Sequence, residues 1–335
     1  MNLVVFRVDE SSTIGFGHMT RCIALAIALQ KFKVQISFWC HKVEPRSRNL
    51  LVGLGISVVE VISEDYFLRQ DWQHAVIVVD GYHFGLGFWR SLIERKPRRT
   101  VCIDDFRGTP YLADIVVCYN EGIDFQQFEL GPNSQLFLGG EYLLLRNEIR
   151  TAVSNSYRPN HGSAIMIAAG GTKQTVWVVD MLINILNLFP TSPIWVLSGR
   201  RLPTTRLLVR AGVSGSQVRF FTGLDSTSMI RLYRRARCLI APASTIMLEA
   251  FAAGCPLISG WIADNQRNAL TYYNKQGLVI NVGDLRCVPN KVLAKAMVQL
   301  HLKAGKMKVR QREYIQRSQM GILKIVDAIL SDGKA

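Results

Sequence analysis

The residues of this chain that could do chemistry are a histidine set among glycines near its start and a serine–threonine pair opening a helix late in the sequence. The late stretch, Ile240 to Gln266, reads as strand, tight turn at Pro242-Ala243, helix, short strand and loop. Ser244 and Thr245 cap a helix expected from about Ile246 to Ala253, which Gly254 and Pro256 stop. Hydroxyls, free backbone N–H groups and the positive end of a helix dipole together suit a phosphate or pyrophosphate. One turn in, Glu249 points back to the same end, where a carboxylate can accept both hydroxyls of a ribose. Asp264-Asn265-Gln266 then supplies amide donors and acceptors ahead of another helix. Taken singly, Ser-Thr is a cap and a helical Glu a solvated face; the combination favours a site.

The early stretch is Gly15-Phe16-Gly17-His18, between the first strand and the first helix. A bare Gly-x-Gly is weak evidence for a dinucleotide fold, because the third glycine is missing. His18 is the informative residue. It stands at a helix N-terminus and at the carboxyl edge of a parallel strand, where open α/β sheets bind ligands. The helix dipole favours neutral imidazole there, so His18 is a candidate base; a helix cap is the alternative. Further strands end in Asp80-Gly81-Tyr82-His83, in Asp104-Asp105 and in Tyr119-Asn120, a polar rim whose carboxylates could equally cap helices. Tyr82 and His83 face the His18 crevice if their strands are neighbours. Gly170-Gly171, after a strand and before a helix, permits close backbone approach to a ligand.

These residues need elements to hold them. Strands are expected at 3–8, 34–40, 57–61, 75–79, 100–103 and 115–118, with helices over 22–29, from about 44, and over 87–94. Residues 151–162 are poor in apolar side chains and form the best linker. Strands then resume at 163–168, 194–197, 218–221, 238–240 and 278–282, with helices near 204–211 and 226–234. A basic amphipathic segment, 288–330, closes the chain. The economical architecture is α/β: two doubly wound Rossmann-like domains facing a cleft, 1–152 and 163–335, the last helix a candidate to pack back on the first domain.

A length of 335 residues suffices for two cores, and 49% hydrophobic with 19% charged residues describes a globular chain. No apolar run approaches the roughly 18–20 residues that span a bilayer, and no basic leader precedes the first strand, so a cytoplasmic protein is expected. Seven scattered cysteines, without a C-x-x-C pair, indicate neither disulfides nor zinc. The net charge of +15 is carried largely by 286–317, where Arg286, Lys291, Lys295, Lys303, Lys306, Lys308, Arg310, Arg312 and Arg317 face only Asp284 and Glu313. No nucleic-acid motif accompanies them. They read as a solvated basic face, with weak attraction to an anionic membrane surface as the sharper version.

With these pieces in place, the chain resembles the PseG family of UDP-sugar hydrolases of pseudaminic acid biosynthesis, GT-B-fold relatives of the glycosyltransferase MurG. F-R-V-D, I-G-F-G-H-M-T-R-C, V-V-D-G-Y-H, I-D-D-F, A-D-I-V-V and L-G-G-E-Y-L-L-L-R-N-E carry the resemblance in the first half; A-A-G-G, A-S-T-I-M-L-E-A-F-A-A-G-C-P and D-N-Q carry it in the second. It implies hydrolysis of UDP-2,4-diacetamido-2,4,6-trideoxy-β-L-altrose to UDP and free sugar with inversion, without metal or cofactor. His18 would be the base that deprotonates the attacking water, and Tyr82 would orient sugar or water. Gly15, Gly17, Arg21 and Asp80 fall in the matched first-domain motifs, and Gly170 and Gly171 in the second. Ser244 and Thr245 would hold the diphosphate, Glu249 the ribose, and Asn265 and Gln266 would serve the cleft. Thr172-Lys173 departs from the family's Ser/Ala-Asp, and Pro242-Ala243 from its Ala-Gly. A GT-B glycosyltransferase, with the run Phe84, Leu86, Phe88 and Trp89 as a membrane-facing surface, and a non-catalytic nucleotide-sugar binder are the rivals.

Overall fold

A computed structural model describes residues 3–11, 16–105, 110–152, 162–169, 176–198, 209 and 217–331. The chain divides into two compact units, Met1–Asn147 with Arg317–Ala335, and Glu148–Gln316.

The first unit is built on strands whose residues are apolar on both faces, as a covered parallel sheet requires. β1 (Leu3–Val8), β2 (Gln35–Cys40), β3 (Ser57–Glu60), β4 (Ala75–Asp80), β5 (Arg99–Ile103), β6 (Ile115–Cys118) and β7 (Gln135–Leu138) lie in the order 3-2-1-4-5-6-7. Neighbouring strands pair in parallel throughout, and β1 pairs with β2 and with β4. The chain therefore reverses its direction of winding between β1 and β4, which makes the carboxyl end of that pair the switch point.

Alternation along β1 sends Val4, Phe6 and Val8 to one core, with Met19, Leu25 and Leu29 of α1 (Gly17–Gln30). Val5 goes to the other, with Ile77, Val79, Phe67 and Trp72, beside α3 (Glu64–Leu68) and α4 (Leu86–Glu94). α2 (Pro45–Gly53) follows β2. α1 begins at Gly17 and not near Cys22, because His18 and Arg21 lie on its buried side and interrupt the apolar period. Phe84 and Trp89 are buried at 2% and 5% exposure and Phe88 packs on the same core, which overturns their reading as an exposed run; Leu86 alone of the four is exposed.

In the second unit β8 (Ala164–Ala168), β9 (Ile194–Ser198), β10 (Val218–Thr222), β11 (Ala236–Pro242), β12 (Leu257–Trp261) and β13 (Ile280–Asp284) lie in the order 10-9-8-11-12-13, again parallel with the switch beside the first strand. β11 runs through Pro242, which pairs with Gly260, so the expected turn at Pro242-Ala243 begins later. Among the described residues the helices after β7 are α5 (Asn147–Ala152), α6 (Val176–Leu188), α7 (Ser226–Arg235), α8 (Thr245–Ala253), α9 (Arg267–Lys275) and α10 (Asn290–Leu330). Gly254 ends α8 in the left-handed conformation, φ 67°, which a side chain disfavours.

α10 is 41 residues long. Leu293, Met297, Leu300 and Met307 belong to the core of the second unit, whereas Ile322, Ile325, Val326 and Ile329 belong to that of the first. Among the described residues no helix is long and apolar enough to cross a membrane. Six cysteines are buried and Cys287 is exposed. Burial pushes the thiols of Cys40, Cys118 and Cys238 up to about 12. Gly15, Gly170, Gly171 and Thr172-Lys173 lie outside the described residues, as does the helix expected at 204–211 apart from Val209.

Candidate active site

The switch point of the first unit gathers the polar ends of four strands. His18 is the second residue of α1, the helix that follows β1, and is 5% exposed. Asp80, the last residue of β4, is 1% exposed and places Oδ1 2.6 Å from His18 Nδ1. Arg21, one turn along α1, donates from Nε and Nη2 to the same carboxylate, at 2.5 and 2.6 Å. Its Nη1 donates to Asp105 Oδ1 at 2.5 Å and to the Tyr119 hydroxyl at 2.8 Å. Tyr82 donates its hydroxyl to Asp105 Oδ2 and sets its ring edge-on to His18, centroids 4.6 Å apart. Asn120 donates to the Asp105 carbonyl at 2.8 Å.

Burial alone would raise the Asp80 carboxyl, yet the charge and hydrogen bonds of Arg21, with those of His18, hold it well below the carboxylate range. An ionised Asp80 accepts, so Nδ1 of His18 is the nitrogen that donates to it. Nε2 has no hydrogen-bond partner among the described residues. Burial and the neighbouring Asp105 carboxylate push the Tyr82 hydroxyl up, so it stays protonated. Tyr82 itself is 51% exposed, the open side of the cluster.

Asp80 and Arg21, expected to touch the ligand, are thus placed beneath the surface with their polar atoms engaged. Asp105 and Tyr119 complete the cluster, and sequence reasoning gave them no role beyond the rim. The signal available was their position, one or two residues past the ends of buried β5 and β6. His83 does not join His18. Its Nε2 is 3.2 Å from Asp9 Oδ2, in a second cluster where the wholly buried Arg7 reaches Asp9 at 3.0 Å, Glu64, and the Trp39 carbonyl at 3.3 Å. Asp9, Glu64 and His83 are the described residues that could jointly hold a metal ion, and the Arg7 guanidinium already stands on both carboxylates.

In the second unit Ser244 is the N-cap residue of α8 and Thr245 its first residue. The Ser244 hydroxyl makes no capping hydrogen bond, which corrects its reading as a side-chain cap. Thr245 is exposed; Glu249, one turn on, is buried at 5% and so is no solvated face. Asn265 is exposed in a short 3-10 turn, and Gln266 accepts from the Ile262 backbone N–H at 2.9 Å. Gly17, exposed at the start of α1, has open space where a side chain would be.

No protein-family model matches the chain. In sequence it is similar to the UDP-2,4-diacetamido-2,4,6-trideoxy-beta-L-altropyranose hydrolase of Campylobacter jejuni, 24% identical over 282 residues, 82% of this chain and 97% of that one. It is also similar to an uncharacterised protein of Methanocaldococcus jannaschii, 22% identical over 280 residues, 80% of this chain but 57% of its relative. Among solved structures, a glycosyltransferase from Rickettsia africae superposes with a TM-score of 0.67 at 12% identity, covering 99% of both chains. MurG of Acinetobacter baumannii superposes with a TM-score of 0.65 at 14% identity, covering 97% of this chain and 98% of its own. These structures share the fold: two Rossmann-like units of the GT-B type. The resemblance read from the motifs stands, on the hydrolase of Campylobacter jejuni in sequence and on MurG in fold.

Proposed function

We propose that this chain hydrolyses a UDP-2,4-diacetamido-2,4,6-trideoxyhexose, the altrose epimer, to UDP and free sugar, on a route to pseudaminic acid or a related nonulosonate. The observation that carries the proposal is the buried Asp80–His18 pair at the switch point, 2.6 Å apart, with the second imidazole nitrogen left for a reactant. Similarity to a hydrolase acting on the named sugar nucleotide over 97% of that enzyme's length supports the substrate class.

His18 Nε2 takes a proton from water as the water oxygen bonds to the anomeric carbon. The bond from that carbon to the β-phosphate oxygen breaks, UDP leaves with the electron pair, and the anomeric configuration inverts. Asp80 keeps the ring in the required tautomer and stabilises the imidazolium that forms, the division of labour of a base and its orienting carboxylate. Tyr82, held neutral and edge-on to the imidazole, orients water or sugar. Arg21 and Asp80 act as positioning residues.

The nucleotide falls to the second unit. Ser244 and Thr245 at the start of α8 offer hydroxyls and backbone N–H groups to the diphosphate, Glu249 is assigned to the ribose, and Asn265 and Gln266 to further polar contacts. Gly15, Gly17, Gly170 and Gly171 are assigned to close backbone approach. With the leaving group held by these donors, the reaction as proposed needs no metal.

The test is UDP release from a panel of UDP-diacetamido sugars with no acceptor and with a chelator present. Fast release from the altrose epimer with inverted product supports the hydrolase. UDP binding without release sinks it and leaves an acceptor-dependent transferase or a silent binding protein.

A further inference from the structure

We infer that the outward face of α10 between Lys291 and Arg312 docks on an anionic lipid surface, lying on the bilayer without entering it as a span. The buried side of this part of the helix is set by Leu293, Ala296, Leu300 and Met307. At 100° per residue, Val298, Leu302 and Val309 fall together on the opposite side, in a line along the helix axis. They are 62%, 77% and 56% exposed, and Leu302 is the most exposed large apolar side chain among the described residues. An amphipathic helix docked on a core normally turns polar residues outward. This one turns outward a short apolar ridge.

Cations flank the ridge on both sides. Lys295 and Lys306 lie along one edge and Arg312 along the other, all exposed, and exposed Lys291 extends the ridge toward the helix start. From Asn290 to Arg312 there is no Asp or Glu. Asp284, just before, is committed to Arg286 at 2.6 Å. A helix face that is merely solvated usually interleaves charges of both signs; from Lys291 to Arg312 this one has only positive charge, and the exposed Glu313 follows at its far end.

The pairing of the two features identifies the occupant. A nucleic acid would use the cations and leave the apolar ridge in water. A bilayer rich in anionic headgroups uses both, the ridge entering the headgroup boundary and the cations meeting phosphates. No described helix is long and apolar enough to cross. Each Lys or Arg held near such a surface contributes roughly a five-fold gain in partitioning, less at high salt.

The experiment is flotation of the full chain with phosphatidylcholine vesicles, with and without phosphatidylglycerol, over a salt series. Expected is binding that requires phosphatidylglycerol and fades with salt. It should weaken roughly five-fold in each of Lys295→Gln and Lys306→Gln, and several-fold in Leu302→Gln with its salt dependence kept. Unchanged thermal unfolding of the three variants shows that the fold is intact. No flotation at low salt overturns the proposal. So does wild-type flotation by Leu302→Gln, which would leave a charge-only surface. Tighter binding to single-stranded RNA than to the vesicles overturns it as well.

Discussion

At the scale of single residues, the candidate chemistry rests on a carboxylate that is inaccessible to solvent. Asp80 is ionised because Arg21 and His18 surround it, so its removal should be felt through the imidazole rather than through substrate affinity. His18→Phe is expected to lower kcat for UDP release by roughly 10²–10⁴-fold while UDP still binds, as calorimetry would show; retained turnover would sink the mechanism. Asp80→Asn should lose kcat with little change in KM, because the amide can orient Nδ1 wrongly and cannot balance the imidazolium. Acid stability follows from the same groups. Asp80 and Asp9 both have folded-state values below the unfolded one of about 3.9. A depressed carboxylate adds stability that is fully present above the unfolded value and is lost as pH falls through it toward the folded value. Thermal unfolding should therefore drop steeply below about pH 4, and Asp9→Asn should flatten that drop while lowering Tm at neutral pH. His18, Tyr82 and the strand ends were legible from type and position. What each carboxylate touches was not. Asp80 read as a ligand-facing rim residue because nothing in V-V-D-G-Y-H says that Arg21, 59 positions earlier, lies against it.

At the scale of elements, legibility followed length and apolar continuity. β1 and β4 are runs of buried residues and were plain; β7 is four residues, Gln-Leu-Phe-Leu, and α3 is five, too short for a period to declare itself. The left-handed stop at Gly254 was legible because only a residue without a Cβ is comfortable there. α10 carries two glycines with opposite expectations. A Cβ on Gly321 would fall on the Glu141 carbonyl carbon and oxygen, so the helix can approach that backbone only without a side chain. Gly321→Ala should cost roughly 1–3 kcal/mol by forcing the packed backbone apart. Gly305 has open space around it in mid-helix, and Gly305→Ala should gain about 0.4–1 kcal/mol by stiffening the unfolded chain. Urea unfolding of the two variants reads both signs in one helix.

At the scale of the whole molecule, the chain is not divided in sequence order. Its last segment completes the unit that its first residues begin, through Ile322, Ile325, Val326 and Ile329. Burying four such side chains contributes about 6–12 kcal/mol, comparable to the stability of a domain. A chain ending at Gln316 should therefore lose the cooperative unfolding of the first unit, seen as dye binding to exposed apolar surface. The placement of the cysteines turns the molecule into its own reporter. Cys287 stands in the solvent, while Cys22, Cys40, Cys102 and Cys118 are sealed in the first unit and Cys238 and Cys255 in the second. An alkylating reagent should add one mass increment to the native protein at once. The remaining increments should arrive in a block of four and a block of two, each as its own unit opens. Intact-mass spectra along a denaturant series would then record which half of the molecule lets go first, with no label introduced.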